Sequence, residues 1–161
     1  MSVKALWKSI LKVTEIGAKP AAGRAPVYVH EIDTPKLEET LTSATTPAVS
    51  AVASGAIQLS AGSAILDLTA APHPSGVDVD LTGLRLRRIC IRSRSTNSAD
   101  VVVTAHGTNG YSIKASETLQ AGDSFARSFQ GSLSLVSPTA KQIAITSADV
   151  DAIVDLVLLA G

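Results

Sequence analysis

Val77-Asp78-Val79-Asp80-Leu81, the pair Thr82-Gly83, and Leu84-Arg85-Leu86-Arg87-Arg88-Ile89-Cys90-Ile91-Arg92 form the stretch that decides the fold. The first five residues alternate apolar and acidic, as in a strand with one face in a core: the valines and leucine inward, both aspartates outward. Thr82-Gly83 is a turn signal. The nine residues after it also alternate, but their apolar frame changes parity between Leu86 and Ile89. A slip of one residue sends half the side chains of a strand to the wrong face. A β-bulge near Arg87-Arg88 restores the frame and bends the strand, as a curved sheet requires.

Working outward, the same grammar recurs over residues 56–161. Ala56 to Leu59 and Ala64 to Leu68 flank a Gly-containing turn at Ser60 to Ser63. Ala99 to Ala105 and Tyr111 to Ile113 flank Thr108-Asn109-Gly110, and Asn-Gly is the strongest short hairpin signal. Phe125 to Phe129, Ser132 to Val136, Gln142 to Thr146 and Ala152 to Leu159 complete the strands. Short strands about every ten residues with turns between them predict an all-β, antiparallel, jelly-roll-like β-sandwich, not βαβ units.

Two further zones precede that domain. Residues 34–55 are a Ser/Thr/Ala/Pro-rich connecting segment, with room for a short helix around Lys36 to Thr42. Residues 1–33 form an N-terminal arm and a first strand, Val27 to Ile32. Leu6, Ile10 and Val13 recur at helical spacing, whereas Lys12-Val13-Thr14 and Gly17 suit an extended arm, which is the reading preferred here. The spread of lysines through Met1 to Ile16 argues against a signal peptide, and no apolar run is long enough for a membrane helix. The expectation is a protein made in a cytoplasm and without a membrane partner.

Composition narrows the function classes. The 161 residues carry 14 basic and 14 acidic side chains, a formal net charge of zero. A general nucleic-acid binder shows a basic excess, so nucleic acid is the least favoured partner. A neutral surface also does little to keep copies apart, and self-association into a dimer or trimer is expected. Aromatic residues make up only 3% of the chain, which disfavours a carbohydrate-binding module with stacking platforms. Cys90 is the only cysteine, which rules out an intrachain disulfide and reads as a buried thiol between Ile89 and Ile91.

No catalytic constellation stands out. There is no G-x-S-x-G elbow, no phosphate-binding glycine loop, and His30, His73 and His106 are isolated in sequence. Asp67, Asp78 and Asp80 are more simply solvated carboxylates than cation ligands. No enzyme activity, metal or cofactor is expected. The one concentrated charge is Arg85, Arg87, Arg88, Arg92 and Arg94, read first as pairing across subunits or across the sheet to Asp78 and Asp80. Together with Lys4, Trp7, Lys8 and Lys12 of the arm, Arg85, Arg87 and Arg88 are the candidate partner-binding residues.

The order of certain segments resembles a known group. Ala64-Ile65-Leu66-Asp67-Leu68-Thr69 is followed by Val79-Asp80-Leu81-Thr82-Gly83-Leu84, then by Ile89-Cys90-Ile91-Arg92-Ser93 with Asn97. An Asn-Gly turn, Leu119-Gln120-Ala121-Gly122-Asp123 and a terminal Leu158-Leu159-Ala160-Gly161 come next. Over roughly Ser63 to Gly161 this is similar to small β-sandwich virion proteins of tailed bacteriophages. The resemblance implies a structural role in the virion, most like a capsid cement or decoration protein of the phage head whose partner is the major capsid protein. The alternative it leaves open is a head–tail, neck or tail component.

Overall fold

The computed structural model describes residues 49–129 and 133–161 and, before them, the backbone of two strands, β1 (Ile10–Ile16) and β2 (Val27–Asp33). β1 and β2 form an antiparallel two-stranded ribbon, so the arm is extended and not helical there. The expected helix around Lys36 to Thr42 lies outside the described residues. Eight strands follow: β3 (Ala51–Gln58), β4 (Ser63–Asp67), β5 (Leu86–Ser93), β6 (Val101–Ala105), β7 (Glu117–Leu119), β8 (Ser124–Ser128), β9 (Gln142–Ser147) and β10 (Ile153–Ala160).

These eight make two four-stranded antiparallel sheets in the orders β3-β10-β5-β8 and β4-β9-β6-β7. The ladders nest, since β3 pairs with β10, β4 with β9, β5 with β8 and β6 with β7. That is one long hairpin wound up so that its strands fall in two layers, the jelly-roll arrangement expected. The sandwich begins at Ala51, upstream of the expected boundary at 56. Ala51 to Gly55 lack large side chains, yet Ala53 is fully buried and faces Leu158 across the ladder.

Between the sheets lies a single core. Leu66 of β4, Ile89 and Ile91 of β5, Val101 and Val103 of β6, Ile143 and Ile145 of β9 and Leu156 and Leu158 of β10 all belong to it. Burying side chains of this kind stabilises by about 1.5–3 kcal/mol each, and their number makes up for the scarcity of aromatics. Leu68 and Leu81, in the connection between β4 and β5, close one end of the core.

The turn between β3 and β4 explains its own sequence. Ala61 and Gly62 have φ of 50° and 75°, and a Cβ on Gly62 would lie 2.5 Å from the Ser147 carbonyl oxygen. Only glycine fits that approach.

Three expected strands are corrected. Val77 to Leu81 is a loop that touches sheet structure only where Val79 bridges Ala71. Leu81 is inward, but Val77 is 72% exposed, so the alternation that reads as a strand is only half used. Tyr111 to Ile113 does not pair with β6 across Asn109-Gly110. β6 pairs instead with β7, and Asn109 (φ 54°) sits in a longer loop whose Gly110 bridges Gln142. Of Ser132 to Val136, the described residues from Leu133 onward form no strand, although Leu133 and Val136 are buried. In each case loops carry core residues (Leu81, Tyr111, Ile113, Leu133 and Val136, with Val79 packed against them), while Val77 and Leu135 are exposed.

Leu81→Ala should therefore cost about 2–5 kcal/mol in urea unfolding, whereas Val77→Ala should stay within about 0.5 kcal/mol of the parent. Equal losses at both positions would restore Val77 to Leu81 as a core-facing strand.

Candidate functional site

The bulge expected at Arg87-Arg88 is present. Opposite β10, Leu86 pairs with Ala160 and Arg88 with Leu159, which leaves Arg87 as the extra residue. Leu86, Ile89 and Ile91 thereby all reach the core, while Arg88 and Cys90 pass to the outer face of the sheet.

The bulge is tied down from several sides. Arg85 and Gly161 exchange backbone bonds of 3.3 and 3.0 Å, and the Phe129 N–H donates to the Arg87 carbonyl at 2.8 Å. The Leu86 N–H donates to Tyr111 Oη at 3.2 Å, and that hydroxyl donates to the Ser134 carbonyl at 2.8 Å. Tyr111 is 1% exposed, so it serves as a buried strut between the bulge and the loop after β8. Burial pushes its hydroxyl pKa up, an effect the nearby charges of Arg85 and Arg87 partly offset.

Three of the candidate partner-binding residues thus come together at one place in the fold. Nε of Arg85, Nε of Arg87 and both Nε and Nη1 of Arg88 are buried with no hydrogen-bond partner among the described residues. Arg88 is 3% exposed. Lys12 lies on β1 opposite Glu31, away from this cluster in the chain, and Lys4, Trp7 and Lys8 lie outside the described residues.

Pairing of the arginines with Asp78 and Asp80 does not occur, because residues 77–80 are a loop and not a neighbouring strand. Among the described residues only Arg94 of the five arginines makes an ion pair, and the other pairs are made by other groups. Arg94 holds Asp155 through Nη2 at 2.7 Å and Nε at 3.1 Å, Lys141 meets Asp67 at 2.7 Å, and Arg127 meets Glu117.

The aspartates have local work. Asp67-Leu68-Thr69 and Asp80-Leu81-Thr82 are two copies of one turn: each carboxylate accepts from the Thr two residues on, through both N–H and hydroxyl. The leucines between them are fully buried and joined by a bond from the Leu81 N–H to the Leu68 carbonyl. This doubled turn was visible in the sequence as a repeated Asp-Leu-Thr, although no regular period announced it. Burial raises the Asp67 carboxyl, but hydrogen bonds from Lys141 and Thr69 outweigh it and bring the pKa down to about 2.

Among the described residues the histidines are held in local bonds. His73 bonds Ser75 and His106 bonds the Thr108 carbonyl, each within its own loop. No group of three His, Cys, Asp or Glu side chains placed to hold a metal occurs among the described residues. A surface depression of about 230 Å3 beside Thr104, Ser112 and Ser116 is smaller than ordinary small-molecule sites. The arrangement that stands out is at the start of β5, an interior strand of its sheet, where a bulge holds half-buried Arg85 and Arg87 and fully buried Arg88 with their Nε atoms shielded from water.

By fold, the chain is a two-sheet antiparallel β-sandwich protein. Comparison with protein-family models, with curated proteins and with solved structures returns no match to it.

Two outcomes follow from these contacts. Tyr111→Phe leaves the buried Leu86 N–H and Ser134 carbonyl unpaired and should cost about 1–3 kcal/mol in chemical denaturation. Asp67→Asn should cost about 1 kcal/mol at pH 7. A carboxylate depressed in the folded state contributes above its unfolded pKa of 3.8, and that contribution is lost as the pH falls through about 2. The gap between parent and Asp67→Asn should accordingly close between pH 4 and 2; a gap that persists at pH 2 would assign it to packing.

Proposed function

We propose that this chain is a non-enzymatic structural protein of a phage virion, a cement subunit that clamps neighbouring copies of the major capsid protein and stabilises the head. The observation that carries the reading is the combination of a jelly-roll winding with a separate N-terminal ribbon. Eight-stranded double-sheet jelly rolls recur in viral capsid and lectin domains. A lectin needs exposed aromatic platforms, but among the described side chains Tyr111 and Phe129 are buried and Phe125 packs against the core. That favours the capsid side of the alternative.

The ribbon supplies the clamp. Among the described residues β1 and β2 pair only with each other, so each leaves one edge for strand addition to another chain. Many such contacts on a closed lattice add through multivalency, and a subunit that binds only the assembled shell stabilises it by mass action. Arg85 and Arg87, which stay partly exposed beside the bulge, are the natural meeting point for capsid carboxylates.

Immunogold electron microscopy of particles from the source lysate, with antibody against the sandwich, tests this directly. Gold spread over the head is expected. Gold at one vertex or along the tail would move the protein to the neck or tail, and neither gold nor its peptides in purified particles would end the virion reading. Removal of residues 1–23 should abolish binding to shells while circular dichroism still reports a folded sandwich. Full occupancy by the shortened chain would refute the clamp.

A further inference from the structure

The β3-β10-β5-β8 sheet ends in two edge strands, and the fold treats them differently. At β3 the Ser54 N–H donates to the Pro72 carbonyl at 2.8 Å, and a Cβ on Gly55 would lie 3.0 Å from the Pro72 ring. The connection after β4 therefore lies against that edge. At β8 nothing comparable occurs among the described residues.

The direction of the β8 backbone groups follows from the bonds at its two ends. The Phe129 N–H donates to the Arg87 carbonyl, and the Ser93 N–H donates to the Asp123 carbonyl. Bonded pairs in an antiparallel ladder recur at every second residue, so Phe125 and Arg127 also turn their N–H and C=O toward β5. Ser124, Ala126 and Ser128 turn theirs the other way, where no backbone group meets them among the described residues. Such a row invites one more strand. Edges are commonly blunted by proline, lysine or a bulge, and Ser124-Phe125-Ala126-Arg127-Ser128 has none of these.

The two sides of this edge are unlike. Inward, Phe125 packs against the core, and Arg127 is held by Glu117 and donates to the Ile113 carbonyl at 3.0 Å. The one charge on the strand is thus already neutralised. Outward, Ser124, Ala126 and Ser128 stand beside Arg92, Cys90 and Arg88 of β5. Ala126 and Ser128 are exposed, and their short side chains leave room above the strand. Arg88 and Arg92 make no ion pair among the described residues, and Asp155, opposite Arg92 on β10, is already held by Arg94. This side of the sheet carries cations in want of carboxylates.

We infer that the free edge of β8 is a strand-addition site for an extended acidic segment of a partner polypeptide, with its carboxylates on the side of Arg92. Backbone bonds to Ser124, Ala126 and Ser128 give the affinity, and the arginines of β5 select the charge. A second copy of β8 would bring the same cations and leave them uncompensated. The inference concerns β8 alone and stands whether or not the protein belongs to a virion.

Full-length protein labelled with nitrogen-15 is titrated with a short peptide alternating valine and aspartate, and with a valine–lysine peptide of equal length. The aspartate peptide should shift the amides of Ser124, Ala126 and Ser128 and slow their hydrogen exchange, while Phe125 and Arg127, already bonded to β5, exchange as before. Ala126→Pro removes an edge N–H without touching the ladder to β5, and should weaken binding at least about tenfold while circular dichroism reports a folded sandwich. Ser128→Glu keeps every backbone group and should weaken binding several-fold by charge, which provides the test if Ala126→Pro does not fold. Absence of any shift at β8 with millimolar aspartate peptide would overturn the site, and so would binding that neither variant weakens. Equal binding of the lysine peptide would overturn the acidic partner. A concentration-dependent dimer abolished by Ala126→Pro would overturn it in favour of a second copy.

Discussion

Strand β10 is apolar on both faces, and the rest of the molecule is arranged around that demand. Val154, Leu156, Leu158 and Ala160 meet the opposite sheet, while Val157 and Leu159 turn outward and are buried as well. A sheet with such a strand at its centre cannot leave one side in water, as antiparallel sheets commonly do. The second sheet satisfies one side. The N-terminal ribbon, through the contact of β2 with β10, is the element available for the other.

The bulge at Arg87 follows from the same demand. β5 runs beside β10 and has to present apolar residues at both Leu86 and Ile89, positions of opposite parity. One extra residue resolves the conflict and decides where the charges go. Arg88 is sent to the outer face beside Cys90, and Arg85 and Arg87 come close to the Tyr111 hydroxyl. Burial pushes the Cys90 thiol up in pKa, and Arg88 only partly offsets this. The thiol is thus kept in its less nucleophilic form.

The parity change at Leu86 and Ile89 made the bulge legible in the sequence, and the regular spacing of short apolar runs made the sandwich legible. Period-2 patterns failed where loops carry core residues. Val79, Leu81, Tyr111, Ile113, Leu133 and Val136 all pack against or within the core, but their backbones bond to turns and isolated bridges. A residue needs only one inward side chain to belong to the core, whereas a strand needs a partner along its whole length, and the local sequence cannot name that partner. The arginine cluster was visible as composition. Its burial was not, because it depends on which elements cover the outer face of a sheet, and that is fixed by pairing between distant segments.

The nested ladders also fix the order in which the chain can fold. β3, at the start of the sandwich, has β10 as its partner at the far end, and only β6 and β7 are close in sequence among the four nested pairs. Contacts so distant in sequence slow folding, because loop-closure entropy is lost before the contacts that repay it are made. During synthesis β3 through β9 must emerge before the central strand of one sheet exists. In that interval the inward side of β5 and the facing residues of β3 lack their neighbour, and unpaired edges of this kind are where chains aggregate. Arg87, Arg88 and Arg92 put charge on β5, the kind of gatekeeping that keeps a waiting apolar strand in solution until β10 arrives.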